Sequence, residues 1–385
     1  MMRRFVLPLL LAPAMALAEV PQGPPASSFQ PAFPEQTRAK QLATTRVTVE
    51  TFAGGLQNPW GIAPLGNGQF LVTERPGRMR VIDADGSVSG PISGLPDVDN
   101  RGQGGLLDVA VSPDFASDRT VFWTYAQPAG GEMVRTAAAK GVLTADGRMT
   151  EVQDIFQQEP PWWGAAHYGS RIIPMSDGTV WITTGEHNAT ENAQDNSTTF
   201  GKVIRVTRDG AVPSNNPFVG RDGIDTIWSY GHRNVQGAAI APDGDLWTIE
   251  HGPRGGDELN KPRAGRNYGW PVISYGVEYG SLAPVGSGRA VMEGMEQPVY
   301  YWDPVIAPSG MDFYDGDYDR WQGDLLIASL SPGGLVRLKL SGDKVVGEER
   351  MLTDRGRIRD VEVLDDGSVL VLADSEGAVL RITPR

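Results

Sequence analysis

The amino-acid sequence predicts an all-β chain, a six-bladed β-propeller with four-stranded antiparallel blades, on three observations. A unit of tight turn, short hydrophobic strand and second turn recurs six times. No long helical periodicity interrupts the copies. The composition, with 48 glycines, 29 prolines, ten tryptophans, ten tyrosines and eleven phenylalanines, suits strands joined by tight turns.

The copies follow in order. Gly66-Asn67-Gly68 leads into Phe70-Leu71-Val72, Ser117-Asp118 into Val121-Phe122-Trp123, and Ser176-Asp177-Gly178 into Val180-Trp181-Ile182. Asp243-Gly244 leads into Leu246-Trp247, Gln322-Gly323 into Leu325-Leu326-Ile327, and Asp366-Gly367 into Val369-Leu370-Val371. Second strand candidates follow, such as 78–82, 201–206, 335–340 and 378–382. Short strands at even spacing are what radial repetition requires, and about 340 residues leave room for four strands per copy. Residues 46–52 alternate polar and apolar side chains, so they read as a half-buried strand that closes the ring within the last blade. Closure removes open strand edges, and the central channel becomes the natural ligand site.

Ahead of the ring, residues 1–18 read as a signal peptide. Arg3 and Arg4 precede an apolar run, and Ala16-Leu17-Ala18 fits a cleavage site. The run is too short and too broken by proline to span a membrane. Residues 19–45 are Pro-rich and read as an extended linker, and 46–385 as the propeller. The expected location is the periplasm. The absence of cysteine excludes disulfides and thiolate chemistry. A net charge of -13 argues against nucleic acid and anionic membranes as partners. An anionic ligand would need a local nest of arginines or a metal.

Trp228 to Asn260 concentrates the candidate chemistry: an Arg233-Asn234 pair, then a strand, then the turn His251-Gly252-Pro253. Backbone carbonyls in such a turn suit a hard cation like calcium, although the stretch also reads as a turn-rich hairpin with solvated charges. Of four histidines, His167 lies at a blade entrance, where it could be a general base or a structural residue. Arg357 and Arg359 point to one side of a strand and could clamp a carboxylate or form a surface pair. Asp312, Asp315, Asp317 and Asp319 lack the glycine and glutamate of a calcium-binding helical loop and read as a solvated turn. Neither a dinucleotide fingerprint nor a nucleophile elbow is present.

Taken in order, the landmarks resemble the soluble quinoprotein sugar dehydrogenases, which use pyrroloquinoline quinone (PQQ). They include Asn58-Pro59-Trp60-Gly61, Thr73 to Gly77, Gly102 to Leu107, His167 to Arg171 and Gly231 to Asn234. Ala193-Gln194-Asp195 with Gly201-Lys202, Glu250 to Asn260, Asn267 to Pro271, Ala307 to Gly310 and Arg357 to Val361 complete the set. The resemblance implies PQQ contacts at Gln103, Arg233, Asn234, Arg357 and Arg359. It implies a cofactor-holding calcium on Gly252 and Pro253, and a structural calcium at Glu258 and Tyr268. It makes His167 the base and Arg233 the stabiliser of charge on the quinone. The implied reaction is oxidation of an aldose at C1 to an aldonolactone by a monomer or dimer, with electrons passed to a periplasmic acceptor. One departure is Ser331, where the family often has a PQQ-binding lysine. A calcium-dependent sugar lactonase and a non-catalytic binding propeller are the competing readings.

Overall fold

In the computed structural model, which describes residues 22–385, six antiparallel sheets stand round one axis. The innermost strands are Pro59–Gly66, Leu106–Val111, Gly169–Pro174, Val235–Ile240, Pro308–Phe313 and Ile358–Val363. Each touches the next, and the last touches the first, so the ring closes. The six hydrophobic runs of the sequence repeat lie in the second strands of the six blades. Five blades have four strands. The first has three, and the irregular segment beyond them takes the fourth place, with Ser89 N–H donating to Val81 O and Ile92 N–H to Met79 O, both at 2.8 Å. Val47–Ala53 pairs antiparallel with Ala378–Pro384, which fastens the start of the ring to its end.

The expected signal peptide at 1–18 lies outside the described residues. The stretch expected to be a linker is extended but not free. Ala26 N–H and Ser27 N–H donate to the Asp303 carboxylate, Gln22 Nε2 donates to Glu348, and Ala39 N–H donates to the Tyr300 hydroxyl. It is a strap along the fourth and fifth blades that covers the edge of Tyr300–Trp302. Composition predicted its lack of periodic structure; buried partners far away in sequence decided where it sits.

Apolar clusters fill five of the six seams between neighbouring blades among the described residues. The seam between the third and fourth blades is held differently. Ser229 Oγ, the His232 ring and the Glu250 carboxylate form a buried chain with steps of 2.9 Å, and the His232 ring stacks on Tyr268.

Every innermost strand carries a register shift against its neighbour. Strict alternation would send Arg359 and Asp360 to opposite faces. The bulge between Ile358 and Val361 lets both reach the channel. There Arg171 gathers the ring. Its Nη1 lies 2.9 Å from Asp108 Oδ1 and from Asp360 Oδ1, and its Nε donates to Gln236 O at 2.7 Å. Its guanidinium sits 4.4 Å over the Trp60 ring. Gly310 must be glycine here, because a Cβ would fall 1.8 Å from Asp360 Oδ1. This cluster separates two cavities. One of about 390 Å³, lined by Asp108, Arg171, Asp312 and Asp360, opens at the C-terminal ends of the inner strands. The other, of about 200 Å³, lies at their N-terminal ends.

Burial pushes Asp360 up to about 7, against the pull of Arg171. An unfolded Asp releases its proton near pH 4, so the folded chain binds more protons between roughly pH 4 and 7. Stability is therefore expected to fall as pH rises through that window. Arg171→Met should cost about 3–5 kcal/mol at pH 8, where two buried carboxylates lose their counter-ion. The cost should be smaller at pH 5, where both can be neutral. Urea denaturation at the two pH values checks this; an equal cost at both would count against the coupling.

Candidate functional site

Two kinds of loop open at the N-terminal end of the channel: those entering each innermost strand and those joining the second and third strands. The first kind supplies Gln103, His167, Asn234, Ala307 and Arg357; the second supplies Arg75, Glu186, His251 and Leu330. The sharp Asp-Gly turns of the repeat lie at the other end, which leaves this one to longer loops.

The 200 Å³ cavity is lined by Trp60, Arg75, Gln103, Asn234, Gln236, His251, Ala307, Leu330, Arg357 and Arg359. It thus brings together four residues expected from sequence: Gln103, Asn234, Arg357 and Arg359. Arg359 and Asn234 are buried, whereas Gln103 and Arg357 are exposed at the rim. Arg359 Nη1 donates to Gln236 Oε1 at 3.1 Å, and its Nε has no partner among the described residues. Arg357 Nε donates to Asp374 at 3.2 Å, with Arg359 Nη2 3.8 Å from the same oxygen. Burial pushes Arg359 down to about 9; Asp374 opposes this, while Arg357, Arg171 and Arg75 add to it. The cavity wall is short of negative charge. Arg75, Gln236 and His251 were missed by sequence reasoning. Arg75 stood in a recognised landmark, but nothing local showed that it faces the channel.

His167 joins the cavity through its neighbours. Its backbone N–H donates to Gln103 Oε1 at 2.9 Å, and Gly169 N–H donates to Asn234 Oδ1 at 3.0 Å. Its backbone is in the left-handed region, at φ 49°. Its Nδ1 lies 2.8 Å from Glu186 Oε2. Burial raises the Glu186 pKa, but the bond to His167, the His167 and Arg233 charges and the Asn188 N–H outweigh it and hold the carboxyl below its ordinary value. An ionised carboxylate only accepts, so Nδ1 carries the proton and Nε2 is left as the basic nitrogen. Nε2 has no partner among the described residues. Glu186 was also missed, since a carboxylate after a strand is unremarkable until the fold sets it beside a histidine.

Arg233 does not line this cavity. It lies beside it, with Nη1 donating to His251 O at 3.2 Å, its guanidinium 5.1 Å over the Trp270 ring and its buried Nε without a partner among the described residues. It lines a smaller void of about 10 Å³ with Glu250, Gly252, Glu258 and Tyr268, room for one water or ion. Asp257 shapes the loop, accepting from Gly252 N–H at 2.8 Å and from Ile306 and Ala307 N–H at 2.8 and 2.7 Å. Burial still pushes it up to about 7. The carbonyls of Gly252 and Pro253 accept no hydrogen bond among the described residues. Burial and the nearby Glu250 raise Glu258 well above the carboxylate range, so a cation would suit it. The Tyr268 hydroxyl is already used, donating to Lys261 O and accepting from Arg263 N–H, so its backbone carbonyl is the free donor. Free carbonyls and a carboxylate are a hard-cation donor set. No group of three metal-binding side chains forms among the described residues, so any such ion would lean on the backbone.

The family model described as Glucose / Sorbosone dehydrogenase matches residues 56–381. The Aldose sugar dehydrogenase YliI of Escherichia coli (strain K12) is 42% identical over 351 residues, covering 89% of this chain and 94% of that protein. The crystal structure of the soluble aldose sugar dehydrogenase (Asd) from Escherichia coli in the apo-form matches with a TM-score of 0.84 at 40% identity, over 88% of this chain and 100% of that one. The PQQ-bound form of the aldose sugar dehydrogenase (Adh) from Streptomyces coelicolor matches with a TM-score of 0.74 at 29% identity, over 89% and 99%.

The Glu186 contact predicts a single tautomer for the neutral His167 ring, protonated on Nδ1. Nitrogen chemical shifts of labelled histidine should show it, and Glu186→Gln should allow both tautomers. A parent ring protonated on Nε2 would mean that the carboxylate does not set the proton.

Proposed function

Because the chain belongs to the glucose/sorbosone dehydrogenase family and is an oxidoreductase of the sugar dehydrogenase kind, we propose that it oxidises aldoses at C1 to aldonolactones with PQQ and calcium. The observation that carries this reading is the 200 Å³ cavity, where guanidiniums outnumber the one nearby carboxylate, Asp374. In a chain of net charge -13, three arginines gathered against one carboxylate make a local site suited to an anion. PQQ is a tricarboxylate and fits their chemistry, and the PQQ-bound relative from Streptomyces coelicolor supports the choice.

When bound, PQQ supplies the two-electron acceptor for the hydride leaving C1, and calcium supplies a Lewis acid beside it. The protein's own residues do the rest. Arg357 and Arg359 would hold carboxylates, with Gln103 and Asn234 fixing orientation through their amides. Gly252 and Pro253 would offer carbonyls to one calcium, and Glu258 with the Tyr268 carbonyl to a second. His167 Nε2 would take the proton of the C1 hydroxyl, while Glu186 steadies the imidazolium that forms. Arg233, whose Nε lacks a partner among the described residues, would stabilise negative charge as it develops on the quinone.

No helix among the described residues is long and apolar enough to cross a membrane. Export to the periplasm, resting on residues 1–18, and a periplasmic electron acceptor belong to the same proposal.

Two outcomes are expected. Chelation should lower the melting temperature and abolish activity, with calcium restoring both. Calcium at about a hundred times its Kd would add roughly 2.7 kcal/mol, a shift of some degrees. Glu258→Gln should shrink that shift, and full activity in metal-free protein verified by elemental analysis would defeat the calcium assignment. His167→Gln should bind PQQ with near-normal affinity yet lose at least about two orders of magnitude in the rate at which sugar reduces it. Stopped-flow absorbance measures that step. A rate close to the parent's would make His167 structural, and lactone hydrolysis without PQQ reduction would favour the lactonase.

A further inference from the structure

Arg75 stands on the loop between the second and third strands of the first blade and lines the same cavity as Arg357 and Arg359. Its Nε donates to Gly104 O at 2.9 Å and its Nη2 to Gly102 O at 2.5 Å. These carbonyls flank Gln103, so the guanidinium is locked against the loop that carries a rim residue. Its Nη1 has no partner among the described residues. The side chain is only half-buried, so it is open to a ligand.

Among the described residues its charge has no dedicated partner. Asp374, the nearby carboxylate, is already shared by Arg357 at 3.2 Å and Arg359 at 3.8 Å. Backbone carbonyls fix the orientation of Arg75 but supply no full negative charge. Across the cavity, Leu330 forms the wall and Ser331 follows it without a charge. A rigid, half-exposed guanidinium with one free amino group and no counter-ion is built to receive an anion.

We propose that Arg75 is a third cationic anchor of this cavity and takes a carboxylate of the bound cofactor, alongside the one or two held by Arg357 and Arg359. This rests on the assignment of PQQ above and adds a residue to it. It also explains how the cavity can hold a tricarboxylate with a serine at position 331.

The test is equilibrium titration of metal-loaded, cofactor-free protein with PQQ, followed by quenching of tryptophan fluorescence. Arg75→Gln should weaken binding about tenfold or more, the cost of one charge-assisted contact. Its Kd should also depend less on salt than the parent's. Arg75→Lys keeps the charge but not the fork, and should lose less than Arg75→Gln. Adding Ser331→Lys to Arg75→Gln should restore part of the affinity, which no repair of the Gln103 loop could do. Melting temperatures without PQQ confirm that each variant is folded. The assignment is overturned if Arg75→Gln binds within twofold of the parent. It is also overturned if neither Arg75→Lys nor the added Ser331→Lys binds better than Arg75→Gln, because the residue then acts only through the loop. A parent that binds no PQQ overturns the cofactor itself, a different failure.

Discussion

Arg171 and the two carboxylates it holds are the contact on which the channel depends. Five blades meet there: Trp60 of the first, Asp108 of the second, Arg171 itself from the third, Gln236 of the fourth, and Asp360 of the sixth. The fifth joins through Ser309, 3.4 Å from Arg359. A buried ion cluster of this kind adds little net stability over an apolar plug, because desolvating three charges offsets their attraction. What it provides is position. The remaining carboxylate oxygens accept from Ile62 and Ile172 N–H, so the inner strands the cluster bridges are fixed in height relative to one another. Arg359 of the 200 Å³ cavity is tied to it through Gln236, whose carbonyl Arg171 holds and whose side-chain oxygen accepts from Arg359.

The second constraint is the polar seam between the third and fourth blades. Elsewhere the faces of adjacent blades close on leucine, isoleucine, valine and tryptophan. Here they close on Ser229, His232 and Glu250, and Glu186 N–H donates to Arg233 O across the same gap. Polar contacts demand satisfied partners and so fix geometry more strictly than an apolar seam, at a cost in stability. His167, Arg233, Asn234 and the calcium-suited turn all border this seam. The repeat packs five seams with apolar side chains, and the sixth, polar one borders the candidate site.

Much of this was legible in the chain. The six turn-strand units are the second strands of six blades, because a tight turn and a short apolar run are local properties that any single copy displays. Residues 46–52 were legible as the closing strand, since an alternating segment outside the six repeats needed an edge to pair with. Four expected residues share the cavity for a related reason: Arg357 and Arg359 sit two apart on one strand, and Gln103 and Asn234 each enter an innermost strand. Arg233 was expected beside them, but its side chain turns away to stack on Trp270 and reach the smaller void. The Pro-rich segment was read as a linker because its partners, Asp303 and Glu348, lie some hundreds of residues away and leave no local trace.

The sequence by itself determined blade number, strand period and ring closure, because each is written in short-range pattern. Tertiary structure alone decided which side chains share a cavity. Bulges in all six inner strands break the alternation that sequence reading assumes, and so aim Asp360 as well as Arg359 into the channel. Glu186 reaches His167 from nineteen residues away, and Arg75 reaches the loop around Gln103 from the preceding blade. Such meetings depend on how strands are staggered round an axis, a property of the closed ring and not of any segment in it.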